Sequence, residues 1–236
     1  MKRYVIIVAA GRGSRMQSVV PKQFIKLYGK PVVLHSIAAF AEFDPNISTI
    51  LVLPPDQFSH WEKIAAEYNL PVRVQITGGG DTRFQSVKNG LALIEDEEAF
   101  VAVHDAVRPL VSVKTISAAF SAAGRYGNAV PAIPLNDSIR QVIGGKNVAV
   151  DRSKFCLIQT PQTFSVSLLR KAYEQEYKYV FTDDASVVEG LVDQIHLVDG
   201  NEDNFKLTTP KDLILAEAIL RNKTILAADT SGGTHP

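Results

Sequence analysis

Short β-branched runs alternate with longer amphipathic stretches along this chain, and no other feature restricts its fold as strongly. The runs Tyr4 to Ala9, Thr49 to Leu53, Val72 to Thr77, Phe100 to His104, Ala129 to Ile133 and Ile195 to Val198 read as strands. Strands separated by helical stretches need crossover connections, which produce an α/β fold with a mostly parallel sheet. Spacing marks the helices: Ile37, Phe40 and Ala41 share a face, as do Val87, Leu91 and Ile94, and Leu213, Ala216, Ile219 and Leu220. Pro109 just past a strand and Pro210 at the start of the last helix act as punctuation. With 236 residues, 46% of them hydrophobic, the chain can bury a substantial core.

One segment breaks the alternation. Ser138 to Ile143 and Asn147 to Arg152 read as two extended arms joined through Gly144-Gly145-Lys146, a hairpin signal. A two-stranded ribbon is marginal alone in water, so it must pack on its own domain or on a second subunit. The stretch from Ala227 to Pro236 is small and polar and is expected to be a disordered tail.

Charge excludes one class of partner: 25 basic and 25 acidic side chains cancel, so a general nucleic-acid binder is not expected. The single Cys156 forms no internal disulfide, and five scattered histidines give no zinc-site spacing. A cytoplasmic protein is the expectation. Met1-Lys2-Arg3 followed by an apolar run has the outline of a signal peptide, but that run breaks at Gly11-Arg12-Gly13 and fits a buried strand. No segment is long enough to span a bilayer.

Chemistry is expected at the loops that follow strands, because ligands in open α/β sheets bind at the strands' carboxyl ends. Ala9-Ala10-Gly11-Arg12-Gly13-Ser14-Arg15-Met16, with Pro21-Lys22-Gln23 close behind, offers backbone N–H groups and cations to a phosphate. It is not a dinucleotide fingerprint, since Met16 stands where the third glycine belongs, and no Gly-Lys-Ser/Thr makes it a Walker loop. Gly78-Gly79-Gly80-Asp81-Thr82-Arg83 gives room for a flat ligand ahead of a helix. In His104-Asp105-Ala106-Val107-Arg108-Pro109 the carboxylate can hold a hydrated magnesium ion or a ribose hydroxyl, and Arg108 can answer a phosphate. Each loop alone also reads as a turn, a cap or a solvated pair; their convergence on one crevice favours a site.

These stretches, with Val150-Asp151-Arg152, Gln159-Thr160-Pro161-Gln162, Thr182-Asp183-x-Ala185-Ser186 and Asp203-Asn204-x-Lys206, together resemble the 2-C-methyl-D-erythritol 4-phosphate cytidylyltransferase family. The resemblance runs in order from Tyr4 to about Leu220. It implies a Rossmann-like nucleotidyltransferase fold as one domain over residues 1–226, with a mostly parallel central sheet and a protruding β-arm at about 136–152 that joins a homodimer. It implies transfer of a cytidylyl group from CTP to 2-C-methyl-D-erythritol 4-phosphate with release of pyrophosphate, in the non-mevalonate route to isoprenoid precursors. Magnesium accompanies the CTP, and no direct protein ligand to it is assigned.

Residue by residue, the resemblance implies that Arg15 and Lys22 stabilise the transition state and departing pyrophosphate, while Arg152 and Lys206 hold the methylerythritol phosphate. Ala9, Ala10, Gly11, Gly13, Gly80, Asp81, Arg83, Ser86, Asp105 and Ala106 match nucleotide-binding positions. Arg108, Ser138, Thr160 and Thr182 match substrate-binding positions, Ser138 replacing a threonine but keeping its hydroxyl. The related ribitol 5-phosphate cytidylyltransferases share several motifs, but their Ala-Gly-Gly differs from Ala9-Ala10-Gly11. The third alternative is a nucleotide-binding module without turnover, against which Arg15 and Lys22 argue.

Overall fold

The run Tyr4-Val5-Ile6-Ile7-Val8 has no polar face, and the reason is visible in a computed structural model that describes residues 1–11 and 20–231. Strand β1 (Arg3–Val8) lies inside the sheet, and its side chains alternate between two covered faces. Tyr4 and Ile6 join one core, while Val5 and Ile7 join the other.

The chain continues through the small ribbon β2 (Lys26–Leu27) and β3 (Lys30–Pro31), then α1 (Val32–Phe43), β4 (Ser48–Leu53), α2 (Phe58–Glu67), β5 (Val74–Gly78) and α3 (Arg83–Leu91). Next come β6 (Phe100–Asp105), α4 (Val113–Tyr126), β7 (Asn128–Pro134), β8 (Arg140–Ile143), β9 (Lys146–Ala149), β10 (Cys156–Ile158) and β11 (Gln162–Ser165). Helices α5 (Val166–Ala172) and α6 (Asp184–Val188), strand β12 (Leu197–Asp199) and helix α7 (Pro210–Ser231) complete it.

The main sheet has the order β10-β7-β11-β6-β1-β4-β5, with β12 also paired to β7. β1 runs parallel to both β4 and β6, and β4 parallel to β5, so four carboxyl ends open on one edge. Helix α3 brings Phe84, Val87 and Leu91 against one face, and α1 brings Val33, Ile37 and Phe40 against the other. Helix α3 approaches β1 closely because residue 90 is glycine: a Cβ there would lie 2.8 Å from Ile6 Cγ2.

All six strands expected from the sequence are present. β11 is a difference: the polar stretch around Gln162 enters the sheet antiparallel, between β6 and β7. Its polarity concealed it, since Gln162 and Thr163 are buried inside the strand. At the other end, α7 continues to Ser231, past Ala227 where a disordered tail is expected from composition.

A hairpin forms where expected, with arms shorter than the reading gives (Arg140–Ile143 and Lys146–Ala149) and Lys146 in the second strand. Gly144 and Gly145 alone, both at positive φ (55° and 78°), therefore make a tight two-residue turn. β8 and β9 pair with each other and not with the main sheet. Val142, Ile143 and Val148 are 72%, 65% and 54% exposed, so the ribbon does not lie back on its own domain.

Candidate active site

Sheet hydrogen bonding runs on past the strands and draws their loops together. Ala9 N–H donates to Val52 O (2.9 Å), Ala106 N–H to Val8 O (3.1 Å) and Gly79 N–H to Leu53 O (2.8 Å). The loops after β1 and β5 then touch, and only glycine permits it: a Cβ on Gly79 would lie 2.4 Å from Ala10 Cβ. Thr82 caps α3 by accepting from Gln85 N–H (3.0 Å), and Ser86 Oγ donates to Thr82 O (2.9 Å) while accepting from Gly80 N–H (3.2 Å). Lys22 reaches back over the first loop, where a Cβ on Gly11 would sit 3.7 Å from its Nζ.

These loops line an open crevice of about 780 Å³. Asp105, at the end of β6, stands among three cations: Lys206 Nζ at 2.9 Å, Arg83 Nε at 3.5 Å and Arg108 Nε at 3.6 Å. Burial opposes its charge, but Arg83, Lys206 and Arg108 together hold Asp105 well below the usual carboxylate range. Arg83 is fixed from behind by Asp184 of α6, whose Oδ2 lies 2.7 Å from Nη2. Burial works against that guanidinium too; Asp184 and Asp105 outweigh it and keep it charged.

Polar side chains beneath Asp105 join segments distant in sequence. Asp105 N–H donates to Thr160 Oγ1 (3.1 Å), which lies 3.0 Å from His104 Nδ1, and His104 Nε2 lies 3.2 Å from Arg108 O. Asn204 Nδ2 donates to Thr160 O (2.8 Å), and Arg108 Nη1 donates to Asn204 O (2.7 Å). Leu207 N–H donates to Val107 O (2.8 Å), which places Lys206 beside Asp105.

A crevice with glycine-rich loops on one wall and cations at its base suits a phosphorylated nucleotide. Residues 4–222 match the sequence model of the 2-C-methyl-D-erythritol 4-phosphate cytidylyltransferase family. The chain belongs to this family. It is 46% identical over 220 residues to the cytidylyltransferase of that name from Phocaeicola vulgatus, covering 93% of this chain and all of the relative. The Geobacillus kaustophilus protein of the same name is 37% identical over 226 residues, covering 94% of this chain and 99% of the relative. Among solved structures, 4-diphosphocytidyl-2C-methyl-D-erythritol synthase from Anaerococcus prevotii superposes with a TM-score of 0.80 at 27% identity, over 93% of this chain and 96% of that one. The Thermus thermophilus cytidylyltransferase gives 0.73 at 33% identity, over 94% and 100%.

Of the family-matched positions, Ala9, Ala10, Gly11, Lys22, Gly80, Asp81, Arg83, Ser86, Asp105 and Lys206 all line the crevice. Ala106 is buried behind it, with its carbonyl accepting from Ser36 Oγ (3.1 Å), and Arg108 and Thr160 meet Asp105 from below. Gly13 and Arg15 lie outside the described residues. Ser138 and Arg152 are on the exposed arm, where Arg152 Nη1 donates to Asn136 O, and Thr182 is exposed ahead of α6; none of the three lines this crevice.

Pro54, Pro55, Asp56 and Gln57, which follow β4 and carry no phosphate-loop motif, also line the crevice. The signal for them is position alone, since they follow the carboxyl end of a parallel strand as the other loops do. Gln57 Oε1 accepts from Nε2 of the buried Gln23 at 2.5 Å and joins this fourth loop to the Pro-Lys-Gln stretch. Among the described residues no three His, Cys, Asp or Glu side chains gather as they would around a metal. No helix there is long and apolar enough to cross a membrane.

Proposed function

We propose that this protein transfers the cytidylyl group of CTP to 2-C-methyl-D-erythritol 4-phosphate, giving 4-diphosphocytidyl-2-C-methyl-D-erythritol and pyrophosphate. The observation that carries the reading, beside family membership, is one crevice lined by the Ala9–Gly11 and Gly79–Thr82 loops with Lys22 and Lys206. An oxygen of the substrate phosphate attacks the α-phosphorus, a new P–O bond forms, and the bond to the bridging oxygen breaks with its electron pair leaving on pyrophosphate. The nucleophile is already an anion at neutral pH, so no general base is required. What the protein must supply is positive charge and alignment.

Lys22, over the glycine loop, and Arg15 are assigned to the triphosphate and the departing pyrophosphate. Lys206, held by Asp105, and Arg152 of the arm are assigned to the acceptor phosphate. Asp105 keeps three cations together at the crevice floor, and its charge is stable because they surround it.

Magnesium is the proposed companion of CTP. Asp105 already meets three cations and no cluster of metal ligands is found among the described residues, so the donor set fits an ion carried on phosphate oxygens and water. When bound it offsets charge on the nucleotide phosphates, and Lys22 is the side chain assigned beside them.

The exposed apolar ribbon suits a homodimer in which each arm covers its partner and brings Arg152 of the partner subunit to the site. A cytoplasmic location fits the one cysteine and the charged substrates.

The test is magnesium-dependent pyrophosphate release, with CTP, UTP, ATP and GTP each offered with methylerythritol 4-phosphate or ribitol 5-phosphate. Release confined to CTP with methylerythritol 4-phosphate is expected. A preference for ribitol 5-phosphate would move the protein to the neighbouring activity, and CTP binding without release from any pair would indicate a non-catalytic module.

A further inference from the structure

Lys22 is carried on a turn too short to hold itself. Lys22–Phe24 is one turn of 3-10 helix closed by Phe24 N–H donating to Pro21 O (2.8 Å), and so short a piece takes its position from what it packs on. The two residues after Lys22 supply that anchorage, and both are buried. Phe24 enters the core, with its ring centroid 4.7 Å from that of His60 on α2. Gln23 has no exposed surface, and its Nε2 donates to Gln57 Oε1 at 2.5 Å. Among the described residues this is the hydrogen bond that its amide makes, since Oε1 has no partner there.

Gln57 is itself fixed. Its N–H donates to Pro54 O (2.9 Å), closing a turn directly after β4, and β4 lies between β1 and β5 in the sheet. Without this acceptor the buried amide of Gln23 is left unpaired, a penalty the chain lessens by shifting the turn. Lys22 shifts with it, being the adjacent residue. At present its Nζ stands over the glycine loop, 3.7 Å from where a Cβ on Gly11 would lie. Misplacing a group that aligns reacting atoms by about 1 Å can cost on the order of 10²-fold in rate. We propose that Gln57 is a positioning residue that acts through Gln23 to seat the Lys22 turn against the glycine loop, where the ammonium meets the departing pyrophosphate. This rests on the reading above that assigns Lys22 to the triphosphate and pyrophosphate.

Gln57→Met keeps the length of the side chain and removes the acceptor. Gln57→Ser, too short to reach Gln23, is the second variant, and urea unfolding checks that each is folded. Both should raise the inhibition constant of pyrophosphate and the KM for CTP about tenfold, with the KM for the polyol phosphate within about twofold of native. A residue that served the fold alone would move all three together. In a Lys22→Ala background, Gln57→Met should change the pyrophosphate constant less than about twofold, because the cation it positions is gone. Gln23→Met should match Gln57→Met, and the two together should be no worse than either alone. An effect of Gln57→Met that persists without Lys22 would mean that Gln57 meets the ligand directly and would overturn the proposal. Equal rises for both substrates, or native constants in both Gln57 variants, would overturn it as well. The assignment beneath it fails separately: Lys22→Ala protein that binds pyrophosphate as tightly as native would refute that assignment, whatever the Gln57 variants do. Pyrophosphate leaves whichever polyol phosphate is the acceptor, so the comparison holds for either.

Discussion

Arg83 Nη2 lies 2.7 Å from Oδ2 of Asp184, a carboxylate with no exposed surface that is 101 residues further along the chain. Tyr173 donates its hydroxyl to the other oxygen of Asp184 (2.7 Å), so the pair ties α3, α5 and α6 behind the crevice. The same guanidinium reaches Asp105 on its other side, which gives Arg83 a structural task beside any contact with nucleotide.

Arg83→Leu leaves Asp184 charged, buried and without its cation, and should cost about 3–5 kcal/mol of stability. Changing both residues to leucine should recover a large part of that, because removing a buried pair is cheaper than stranding one member. Urea unfolding of the two variants decides it. If Arg83→Leu keeps native stability and loses only CTP affinity, the anchoring role is wrong.

Gly79→Ala tests how closely two loops must approach. The added Cβ would lie 2.4 Å from Ala10 Cβ and 3.2 Å from Ser86 Oγ, so the loops after β1 and β5 must separate. Strain of this kind typically costs about 1–3 kcal/mol. Part of that cost should fall on the nucleotide wall, with an increase in the KM for CTP exceeding that for the polyol phosphate. Unchanged CTP affinity would remove the Ala10–Gly79 contact from nucleotide binding.

How far the sequence alone discloses this arrangement depends on where each residue's partners lie. β1 was legible because five successive apolar residues need cover on both faces, and Gly144-Gly145 was legible because a tight turn is a local property. β11 was not, since Gln162 is stabilised inside the sheet by Asp183 Oδ2 (2.8 Å) and Ala185 N–H (2.8 Å), partners that periodicity does not reveal. In the site, Asp105 and Lys206 were individually visible as motif residues. Their 2.9 Å pairing depends on a backbone bond from Leu207 to Val107, a contact between segments a hundred residues apart. The motif around Arg83 marks it only as a nucleotide position, and its anchorage by Asp184 has no local signal.

The arm gives a third prediction. If the arms pair two copies of the chain, replacing Val142 and Val148, both exposed in the single chain, with lysine should shift the sedimentation velocity from dimer to monomer and reduce turnover with it; a native protein that already sediments as a monomer would refute the pairing. If Arg152 of the partner subunit completes each site, an exchanged equal mixture of Lys22→Ala and Arg152→Ala should recover about a quarter of native activity: half the dimers are hybrids, each with one intact site. Absence of recovery after proven exchange would place both residues in a site formed by one chain.

The last prediction concerns acid stability. Burial chiefly, with the charge of Arg108 adding to it, pushes His104 down to about 4, although Asp105 and the carbonyl of Arg108 favour its protonation. An unfolded histidine titrates near 6.5, so between those values the unfolded chain binds more protons than the folded one. Stability therefore rises with pH across that interval and falls on acidification, by about 3 kcal/mol from this residue alone. Asp105 acts lower down: its folded-state value is held below the ordinary carboxylate range, so its contribution is present above that range and is lost only as pH falls through it. His35, which burial also pushes down, adds to the upper interval, and the quantity to measure is consequently the difference between native protein and His104→Phe. Urea unfolding from pH 7.5 to 4.5 should give a shallower slope for His104→Phe, with His35→Phe as the control that keeps the His104 component. Parallel slopes for native protein and His104→Phe would mean that the folded state binds the proton as readily as the unfolded chain, and that burial does not hold this imidazole neutral.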